Sequence, residues 1–460
     1  MNERFLKSRW IFVYHKNNRD IVFNSNNLEI YFADKELVNL LKLFRKPREL
    51  REVFFIFSKY KKRRKSRKSI QNILRILLDS NILVSENKNE LSEHSKWILN
   101  QIEKRKKEIG KILKLNALRV VLTEKCNFQC TYCFVKQRQK KLSNRISWEN
   151  FKKSIDLLAK LNKKGHIEIH FFGGEPLIEF PLIARAVSYI NNLIKKDIIN
   201  SAFYAITTNA TLMNKDMAKF FKNNHFLVSV SIDGWEKLHN ENRRYLDGRG
   251  TFHNSVKALQ ILQKFKNDIG ILVTPTKETV KYLSRACEYI VKKLRCNYIT
   301  INTPQPVNGN WEISGQVFAE EVKRCLEIAK KNKAVITTLG TRVLYALDEK
   351  VPLILSCSKF QNNFTGTLTT KGKISPCIVS WNLGQILTPL EKFNYKGEFT
   401  KWKLTPPYFF KKCLSCPAMN VCGGPCPLEI YDMKKNSRPI NHERCRFFRN
   451  FLGCALWYEV

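Results

Sequence analysis

The sequence predicts an α/β protein with an open, partial barrel at its centre. From Leu118 onward, short apolar runs alternate with amphipathic segments, so that six strand–helix units follow one another along the chain. Such an alternation produces a parallel sheet with helices outside it, and six units are too few to close the eight-unit barrel. We therefore expect the active site at the carboxyl ends of the strands.

The individual elements are predicted from the spacing of their apolar residues. Strands are expected to have a period of two or a continuous apolar run, and helices a period near 3.6. The strands are predicted at 118–123, 167–172, 203–208, 227–232, 269–274 and 298–302, and the helices at 148–162, 180–196, 215–223, 252–265, 278–294 and 316–332.

Two further blocks flank the barrel, which we place at residues 116–346. Residues 1–115 contain three short strand-like runs, a helix with Asp34 as its N-cap, and a second amphipathic helix that leads into a strand near Ile82. Residues 347–460 are rich in Cys, Pro and Gly and have few long apolar periods. That composition suits a small domain held together by metal rather than by a large core.

The chain of 460 residues is strongly basic, with 81 Lys plus Arg against 40 Asp plus Glu and a net charge of +41. This balance favours a polyanionic partner, either nucleic acid or an acidic peptide, although a general bias toward Lys, Asn, Ile and Phe explains it equally well. We find no apolar run long enough to span a membrane and no secretory signal. We therefore expect a cytoplasmic protein without membrane contact.

Three cysteines, Cys126, Cys130 and Cys133, lie in TEKCNFQCTYCF directly after the first predicted strand. A closed tetrahedral metal site needs four ligands and a disulfide needs two, so three thiols indicate a metal centre with an open position. They can hold three irons of a [4Fe–4S] cube and leave the fourth iron accessible. The alternatives are a zinc site completed by His166 or His170, and three ordinary core cysteines.

A second set of cysteines follows an ordered spacing in the C-terminal block. A pair of zinc ribbons would require paired C-x2-C units, and only Cys413 and Cys416 form one. The set consists of Cys357, Cys377, Cys413, Cys416, Cys422, Cys426 and Cys445.

The three-cysteine motif, placed after the first strand of a six-unit partial barrel, resembles the radical S-adenosylmethionine (SAM) superfamily. The resemblance implies that Cys126, Cys130 and Cys133 bind a [4Fe–4S] cluster whose open iron chelates SAM. One electron then cleaves SAM, and the resulting 5′-deoxyadenosyl radical abstracts hydrogen from an inert C–H bond. An electron donor of the flavodoxin or ferredoxin type is implied as well.

Later motifs resemble the SAM-binding stretches of the same superfamily. GGEP follows the second strand, SIDG follows the fourth, and TTNATLM follows the third with Ala210 where the family usually has Gly. The resemblance places Ser231 near the ribose and Arg243 near the methionyl carboxylate. No residue stands out as a catalytic acid or base. The SAM-binding residues implied in this way are Gly173, Gly174, Glu175, Pro176, Asn209, Ser231, Asp233 and Arg243.

The C-terminal cysteines resemble the SPASM domain, which carries two auxiliary [4Fe–4S] clusters, so that three clusters are implied in total. The stretch VPLILS before Cys357 lacks the cysteine that completes the second auxiliary cluster in some members. That cluster then has an open iron, another ligand, or a distant donor such as Cys454 or Cys325. The resemblance assigns Cys413, Cys416, Cys422 and Cys445 to one auxiliary cluster and Cys357, Cys377 and Cys426 to the other; Cys287 and Cys296 are expected in the apolar core.

These resemblances imply a radical SAM maturase that installs a cross-link, a thioether or an epimerised residue in a ribosomally made peptide. The N-terminal block resembles a winged-helix domain that binds a leader peptide as an added strand, and the positive charge predicts an acidic leader. One alternative is a sulfatase maturase that forms formylglycine. Those enzymes carry an acidic residue directly after the cysteine matching Cys377, where this chain has Ile378.

Two further alternatives stay open. The positive charge fits an RNA-modifying radical SAM enzyme, although nothing in the sequence resembles a known RNA-binding motif. A non-catalytic iron–sulfur protein that transfers electrons is the other alternative, and it would not turn over SAM.

Overall fold

The structure is a computed structural model. It describes residues 3–59, 67–108, 115–134, 144–304, 311–356, 364–375, 377–379, 388–389, 392, 407–426 and 441–458. Across these ranges, every helix is too short or too polar to cross a lipid bilayer.

The N-terminal block folds into two small antiparallel sheets with four helices packed around them. Its N-cap prediction is confirmed, because Asp34 Oδ1 accepts a hydrogen bond of 2.7 Å from the backbone N–H of Leu37. The sheets have the orders β5-β1-β6 and β2-β3-β4. The elements are β1 (Arg4–Lys7), β2 (Ile11–Lys16), β3 (Arg19–Asn24), β4 (Ile30–Ala33), α1 (Lys35–Leu43), β5 (Arg48–Glu49), α2 (Leu50–Lys59), α3 (Arg67–Asp79), β6 (Leu83–Ser85) and α4 (Glu90–Glu108).

The central sheet confirms the predicted partial barrel and extends it. Its parallel strands are adjacent in chain order, and the six predicted strands lie within three residues of their predicted limits. A further parallel strand, β13, was not predicted because it has only three residues. The strands are β7 (Leu115–Val121), β8 (His166–Phe172), β9 (Ser201–Thr208), β10 (Leu227–Ser231), β11 (Asp268–Val273), β12 (Tyr298–Ile301) and β13 (Val335–Thr337).

Helices cover the outer face of this sheet. The predicted helix at 278–294 is shorter in the structure, where a 3-10 turn at Val280–Tyr282 precedes the α-helix. The helices are α5 (Trp148–Leu161), α6 (Phe180–Lys195), α7 (Lys215–Asn223), α8 (Glu236–Asn242), α9 (Phe252–Lys264), α10 (Leu283–Lys292), α11 (Gly315–Asn332) and α12 (Leu339–Asp348).

The two faces of the barrel strands differ in burial. Residues such as Leu118, Ile169 and Val228 point outward into one continuous apolar core with the helices. Every second residue, which points inward, keeps partial or full exposure along much of β8 and β12. A filled barrel would bury both faces, so the inward face here borders an open lumen.

The C-terminal block is joined to the barrel through the sheet itself. Strand β14 (Phe364–Leu368) pairs in parallel with β7, and β15 (Lys373–Ser375) and β16 (Thr388–Pro389) continue the sheet antiparallel. Two helices, α13 (Met419–Cys422) and α14 (His442–Ala455), complete this block, together with 3-10 turns at Pro407–Phe409 and Lys411–Cys413.

The N-terminal block docks on the C-terminal block. The amide of Asn420, which is buried, donates a hydrogen bond of 2.8 Å to the carbonyl of Ser25. Lys350 Nζ lies 2.9 Å from Glu29 Oε1. The N-terminal block and the C-terminal block are therefore in contact next to the C-terminal cysteines.

Helices α11 and α14 approach closely enough to require a glycine. A Cβ added at Gly315 would lie 1.8 Å from the carbonyl oxygen of Glu443. We expect Gly315→Ala to destabilise the protein by about 3 kcal/mol, because two backbones would have to separate.

The matched control is Gly453→Ala in α14, where the added Cβ would lie 3.8 Å from Tyr14. This distance is an ordinary contact, and the gain in helix propensity should stabilise the protein by about 0.5–1 kcal/mol. Chemical denaturation of both variants would check the pair. Equal stabilities would show that the helices do not pack as described.

Candidate active site

The cysteine loop follows β7 and is paired on one side with the segment after α8. The backbone N–H of Gln129 donates to the carbonyl of Arg244 at 2.8 Å, and that of Thr131 donates to the carbonyl of Asn242 at 3.0 Å. The Thr131 hydroxyl also donates to Asn242 Oδ1 at 2.6 Å. A loop without secondary structure of its own thus obtains backbone partners from residues 242–244.

The GGEP segment holds the other side of the loop. Gly174 N donates to the carbonyl of Thr123 at 2.8 Å, and Glu175 N donates to that of Lys125 at 2.8 Å. A Cβ on Gly174 would lie only 2.2 Å from the Lys125 carbonyl oxygen, and one on Gly173 would lie 2.5 Å from that of Thr123. These glycines make room for the cysteine loop, and their predicted part in SAM binding stays a prediction.

Glu175 connects the ends of β8 and β9. Its buried carboxylate accepts hydrogen bonds from the Thr208 hydroxyl at 2.5 Å and from the backbone N–H groups of Leu177 at 3.0 Å and Asn209 at 2.8 Å. Burial raises the pKa of Glu175 to about 7, and these hydrogen bonds oppose the rise. Binding of the SAM ammonium by Glu175 stays a prediction. Pro176 follows it at the start of a 3-10 turn.

The TTNATLM motif forms a tight turn, although it has Ala210 where the family usually has Gly. Ala210 adopts a left-handed conformation with φ of 63°, and its N–H donates to Thr208 Oγ1 at 2.8 Å. Asn209 next to it donates from Nδ2 to Asn127 Oδ1 at 2.8 Å. Asn209 is thereby linked to the residue that follows Cys126.

A buried ion pair lies beneath the cysteine loop. Arg243 Nε donates to Asp233 Oδ2 at 2.8 Å, and both side chains are almost fully buried. The hydroxyl of Tyr132, which lies between Cys130 and Cys133, donates to the same oxygen at 2.7 Å. The backbone N–H of Thr274 donates to Asp233 Oδ1 at 2.9 Å. Asp233 therefore joins the cysteine loop to the ends of β10 and β11.

Several of these contacts could not be chosen from the sequence. Tyr132, Thr131, Asn242 and Thr208 support the site, although the resemblance gave none of them a binding role. Their only signal was position, since each lies inside or directly beside a motif. Ser231 was predicted, and it is buried at the end of β10.

The three thiols of the loop lie close enough to influence one another. Burial raises the pKa of Cys126 to about 12, with smaller contributions from Glu175, Cys130 and Cys133. Burial raises the pKa of Cys130 to about 11, and the nearby guanidinium of Arg243 opposes this rise. Metal binding must therefore displace protons from these thiols.

The predicted zinc alternative does not form. No group of three or more Cys, His, Asp or Glu within the described ranges is arranged to hold a single metal ion. The ring of His170 instead contacts Thr207 Oγ1 at 2.8 Å, and that of His166 contacts Ser201 Oγ at 2.8 Å. Three thiols that share a loop but do not converge on one ion fit a cluster in which each thiolate binds its own iron.

The structure brings together four of the C-terminal cysteines. Burial and, to a smaller extent, neighbouring thiols of the same group raise the pKa of Cys413 and of Cys445 to about 12. The group consists of Cys413, Cys416, Cys422 and Cys445, and its binding of an auxiliary cluster stays a prediction.

The other auxiliary set is only partly described. Cys377 and Cys426 are partly buried, and Cys357 lies outside the described residues. Cys325, one candidate for a distant donor, is fully buried beside Cys287 in the helical core. Cys287 and Cys296 are core residues, as predicted.

An apolar wall borders the cysteine loop. Val121 is fully buried, and Cys133, Phe134, Phe172 and Ile378 pack against it. The rings of Phe134 and Phe172 are stacked with centroids 6.3 Å apart. Ile378 therefore lies within reach of the predicted cluster site rather than on a remote surface.

Comparison with known proteins agrees with this geometry. Residues 120–290 match the family described as the Radical SAM superfamily. This part of the chain is a radical SAM domain, and that family implies a [4Fe–4S] cluster and SAM as cofactors.

Two groups of known proteins are similar to this chain beyond that domain. It is 26% identical over 355 residues to a cysteine-type anaerobic sulfatase-maturating enzyme from Clostridium perfringens, covering 72% of this chain and 93% of that protein. A solved structure of anSMEcpe with bound AdoMet has a TM-score of 0.60 at 20% identity and covers 73% of this chain and 95% of that chain. A solved structure of Streptococcus suis SuiB bound to precursor peptide SuiA has a TM-score of 0.52 at 16% identity. This likeness covers 95% of this chain and 98% of that chain.

The contact between GGEP and the cysteine loop can be tested with Gly174→Ala. We expect this variant to lose the capacity for one cluster, about four irons per chain, because the added methyl group would push Lys125 and the adjacent Cys126 out of place. Iron and sulfide analysis after anaerobic reconstitution would measure the loss.

Gly270→Ala is the matched control for this change, since the nearest atom to its added Cβ is 3.8 Å away. It should bind as much iron as the wild type. Wild-type iron content in a folded Gly174→Ala protein would contradict the described packing. Circular dichroism separates that outcome from loss of fold.

The left-handed turn at Ala210 gives a stability prediction. Ala210→Gly relieves about 1–2 kcal/mol of strain from the left-handed backbone. It also removes a buried methyl group, which costs about 0.8 kcal/mol of stability. Glycine makes the unfolded chain more flexible, and this costs about 0.5–1 kcal/mol more. We expect these effects to cancel, leaving the free energy of unfolding nearly unchanged.

Ala218→Gly provides the comparison, because Ala218 is equally buried but lies inside α7. Loss of its methyl group and of helix propensity should cost about 2 kcal/mol. Denaturant titration of the two variants checks the difference. A cost at Ala210 as large as that at Ala218 would argue against the left-handed turn.

Proposed function

We propose that this radical SAM enzyme modifies a ribosomally made peptide, installing a cross-link, a thioether or an epimerised residue. The observation that carries the proposal is the N-terminal block docked on the C-terminal cysteine region. The likeness to SuiB, which was solved with a precursor peptide, covers 95% of this chain and so must include that block. The likeness to anSMEcpe covers a smaller share of this chain, 73%.

The cofactors would be held by residues that the structure already groups. Cys126, Cys130 and Cys133 would bind the SAM-binding cluster, and Cys413, Cys416, Cys422 and Cys445 would bind an auxiliary one. When bound, the cluster and SAM supply a carbon radical that removes hydrogen from a C–H bond. The chain's own residues position these groups: Arg243 has N–H groups beyond the two that bind Asp233, and these can reach a carboxylate.

The leader peptide would bind at the sheet formed by β2, β3 and β4. Strand β4 is an edge of this sheet among the described residues, and Phe32 on it is 64% exposed. An edge strand offers backbone groups to an added strand, and an exposed aromatic ring offers an apolar contact. The net charge of +41 favours an acidic leader.

A sulfatase-maturase activity is the second candidate, because similarity to that class extends over most of the relative's length. Against it stands Ile378, which occupies the position where those enzymes carry an acidic residue. Ile378 packs with Phe134 and Phe172 beside the cysteine loop. An aliphatic side chain cannot accept a proton there.

One experiment separates these candidates. The anaerobically reconstituted enzyme is supplied with dithionite, SAM and either a candidate precursor peptide, a Cys- or Ser-type sulfatase peptide, or RNA. We expect 5′-deoxyadenosine only with the precursor peptide. A cross-link or thioether would lower the mass of the peptide by about two hydrogens, and an epimerised residue would take up deuterium from D2O without another change in composition.

The control is the triple variant Cys126→Ala, Cys130→Ala and Cys133→Ala, which should release no deoxyadenosine. Formylglycine in the sulfatase peptide would establish the second candidate instead. Stimulation by RNA alone would indicate an RNA-modifying enzyme. An absence of SAM turnover with every substrate would favour the electron-transfer alternative.

A further inference from the structure

A row of polar side chains crosses the inward face of the barrel one layer below the cysteine loop. In the register of the parallel strands, Arg119 on β7 lies opposite Thr367 on β14 and His170 on β8. His170 Nε2 contacts Thr207 Oγ1 on β9 at 2.8 Å, and Thr207 lies opposite Ser229 on β10. Five adjacent strands therefore contribute to one polar floor.

The inward direction of this row follows from the alternation along each strand. Leu118 and Val120, which flank Arg119, belong to the core beneath the helices. Val121, two residues after Arg119, contacts the wall formed with Cys133 and Phe172. Because alternate residues share one face, Arg119 faces the same lumen as that wall.

Two members of the floor have unused binding capacity. Among the residues that the structure describes, Arg119 has no carboxylate partner, although its side chain is only partly exposed. Thr367 is fully buried, and its hydroxyl has no hydrogen-bond partner in the described structure. A buried hydroxyl without a partner is costly unless a ligand uses it, and a partly exposed guanidinium without an ion pair is available to the same ligand.

The local charge selects the class of ligand. Arg119 contributes one positive charge, while His170 is neutral because burial lowers its pKa to about 3. Thr207, Ser229 and Thr367 contribute only hydroxyl groups. Glu168 lies on the same face of β8, one layer nearer the amino ends of the strands, and forms no ion pair with Arg119 in the part of the chain that the structure describes. One planar guanidinium next to neutral donors suits a single carboxylate, which it can bind with two parallel hydrogen bonds. A polyphosphate would need more cations.

We propose that Arg119 binds a carboxylate of the peptide substrate, either an Asp or Glu side chain or the C-terminal carboxylate, near the residue that is modified. This inference rests on the proposed function and deepens it, since it names an acidic group as a requirement of the substrate. The fixed floor would set how deeply the peptide enters the lumen.

The test measures binding rather than turnover. Two soluble libraries of random nonapeptides are used as probes, one ending in a free carboxylate and the other in an amide. The reconstituted enzyme with SAM is exposed anaerobically to each library, and retained peptides are sequenced by mass spectrometry. The proteins compared are the wild type, Arg119→Gln, Arg119→Lys and Arg295→Gln.

Arg295→Gln is the matched control, because Arg295 is exposed before β12 and the substitution removes the same charge. Any general preference of the basic surface for acidic peptides is therefore weakened equally in both Gln variants. We expect a subset of acidic peptides to be retained by the wild type and by Arg295→Gln but not by Arg119→Gln. If retained peptides come only from the free-acid library, the group that Arg119 binds is the C-terminal carboxylate. If peptides with internal Asp or Glu are retained from both libraries, the group is a side-chain carboxylate.

The best retained peptide is then resynthesised with its acid replaced by the amide. The affinity of the wild type should fall by about tenfold to a hundredfold, whereas Arg119→Gln should bind both peptides equally and weakly. Arg119→Lys should keep part of the preference. If Arg119→Gln does not fold or bind iron, the acid–amide pair measured on the wild type and Arg119→Lys keeps the test decisive.

The outcomes distinguish this inference from the proposed function. Equal retention of acidic peptides by Arg119→Gln and Arg295→Gln would overturn the role of Arg119 while leaving a peptide substrate in place. Retention of no peptide by the wild type would overturn both.

Discussion

The site depends on the way in which the cysteine loop is held between two backbones. The Gly173–Gly174 segment presses against it from one side, and residues 242–246 pair with it from the other. A loop has backbone N–H and C=O groups that need partners and conformational freedom that must be lost. Here both requirements are met by the Gly173–Gly174 segment, which directly follows β8, and by residues 242–246, which lie at and after the end of α8. The separation of the three thiols is therefore set by the barrel.

Two buried carboxylates, Glu175 and Asp233, support this frame in different ways. Glu175 accepts only neutral donors, and burial consequently raises its pKa, whereas Asp233 is paired with the guanidinium of Arg243. Each joins the ends of neighbouring strands. Removing one partner of a buried pair leaves an unpaired charge and costs several kcal/mol of stability, about 3–5 in typical cases. Loss of activity in an Asp233 or Arg243 variant would therefore not by itself identify a SAM ligand.

The sequence was informative wherever a local pattern fixes the structure. The six barrel strands and the N-cap at Asp34 follow from periodicity and capping chemistry, and the cysteine spacing indicated the cluster loop. Pairing between distant segments has no such signal: the parallel addition of β14 to β7 and the closeness of Gly315 to Glu443 appear only in three dimensions. Strand β13 was missed because three residues are too few to show a period. Arg119 was missed because a strand pattern does not reveal whether its polar positions face solvent or a lumen.

The pairing of β14 with β7 has a consequence for specificity. Strand β7 leads into the cysteine loop, and Thr370, just after β14, donates a hydrogen bond of 2.8 Å to the buried carboxylate of Glu124 before the first cysteine. The C-terminal block is therefore connected to the cysteine loop in two ways, through the pairing of β14 with β7 and through the hydrogen bond from Thr370 to Glu124. Ile378, three residues after β15, is held at the apolar wall by this connection. A change at Ile378 can thus alter the apolar wall while the backbone hydrogen bonds from residues 174–175 and 242–244 still hold the cysteine loop.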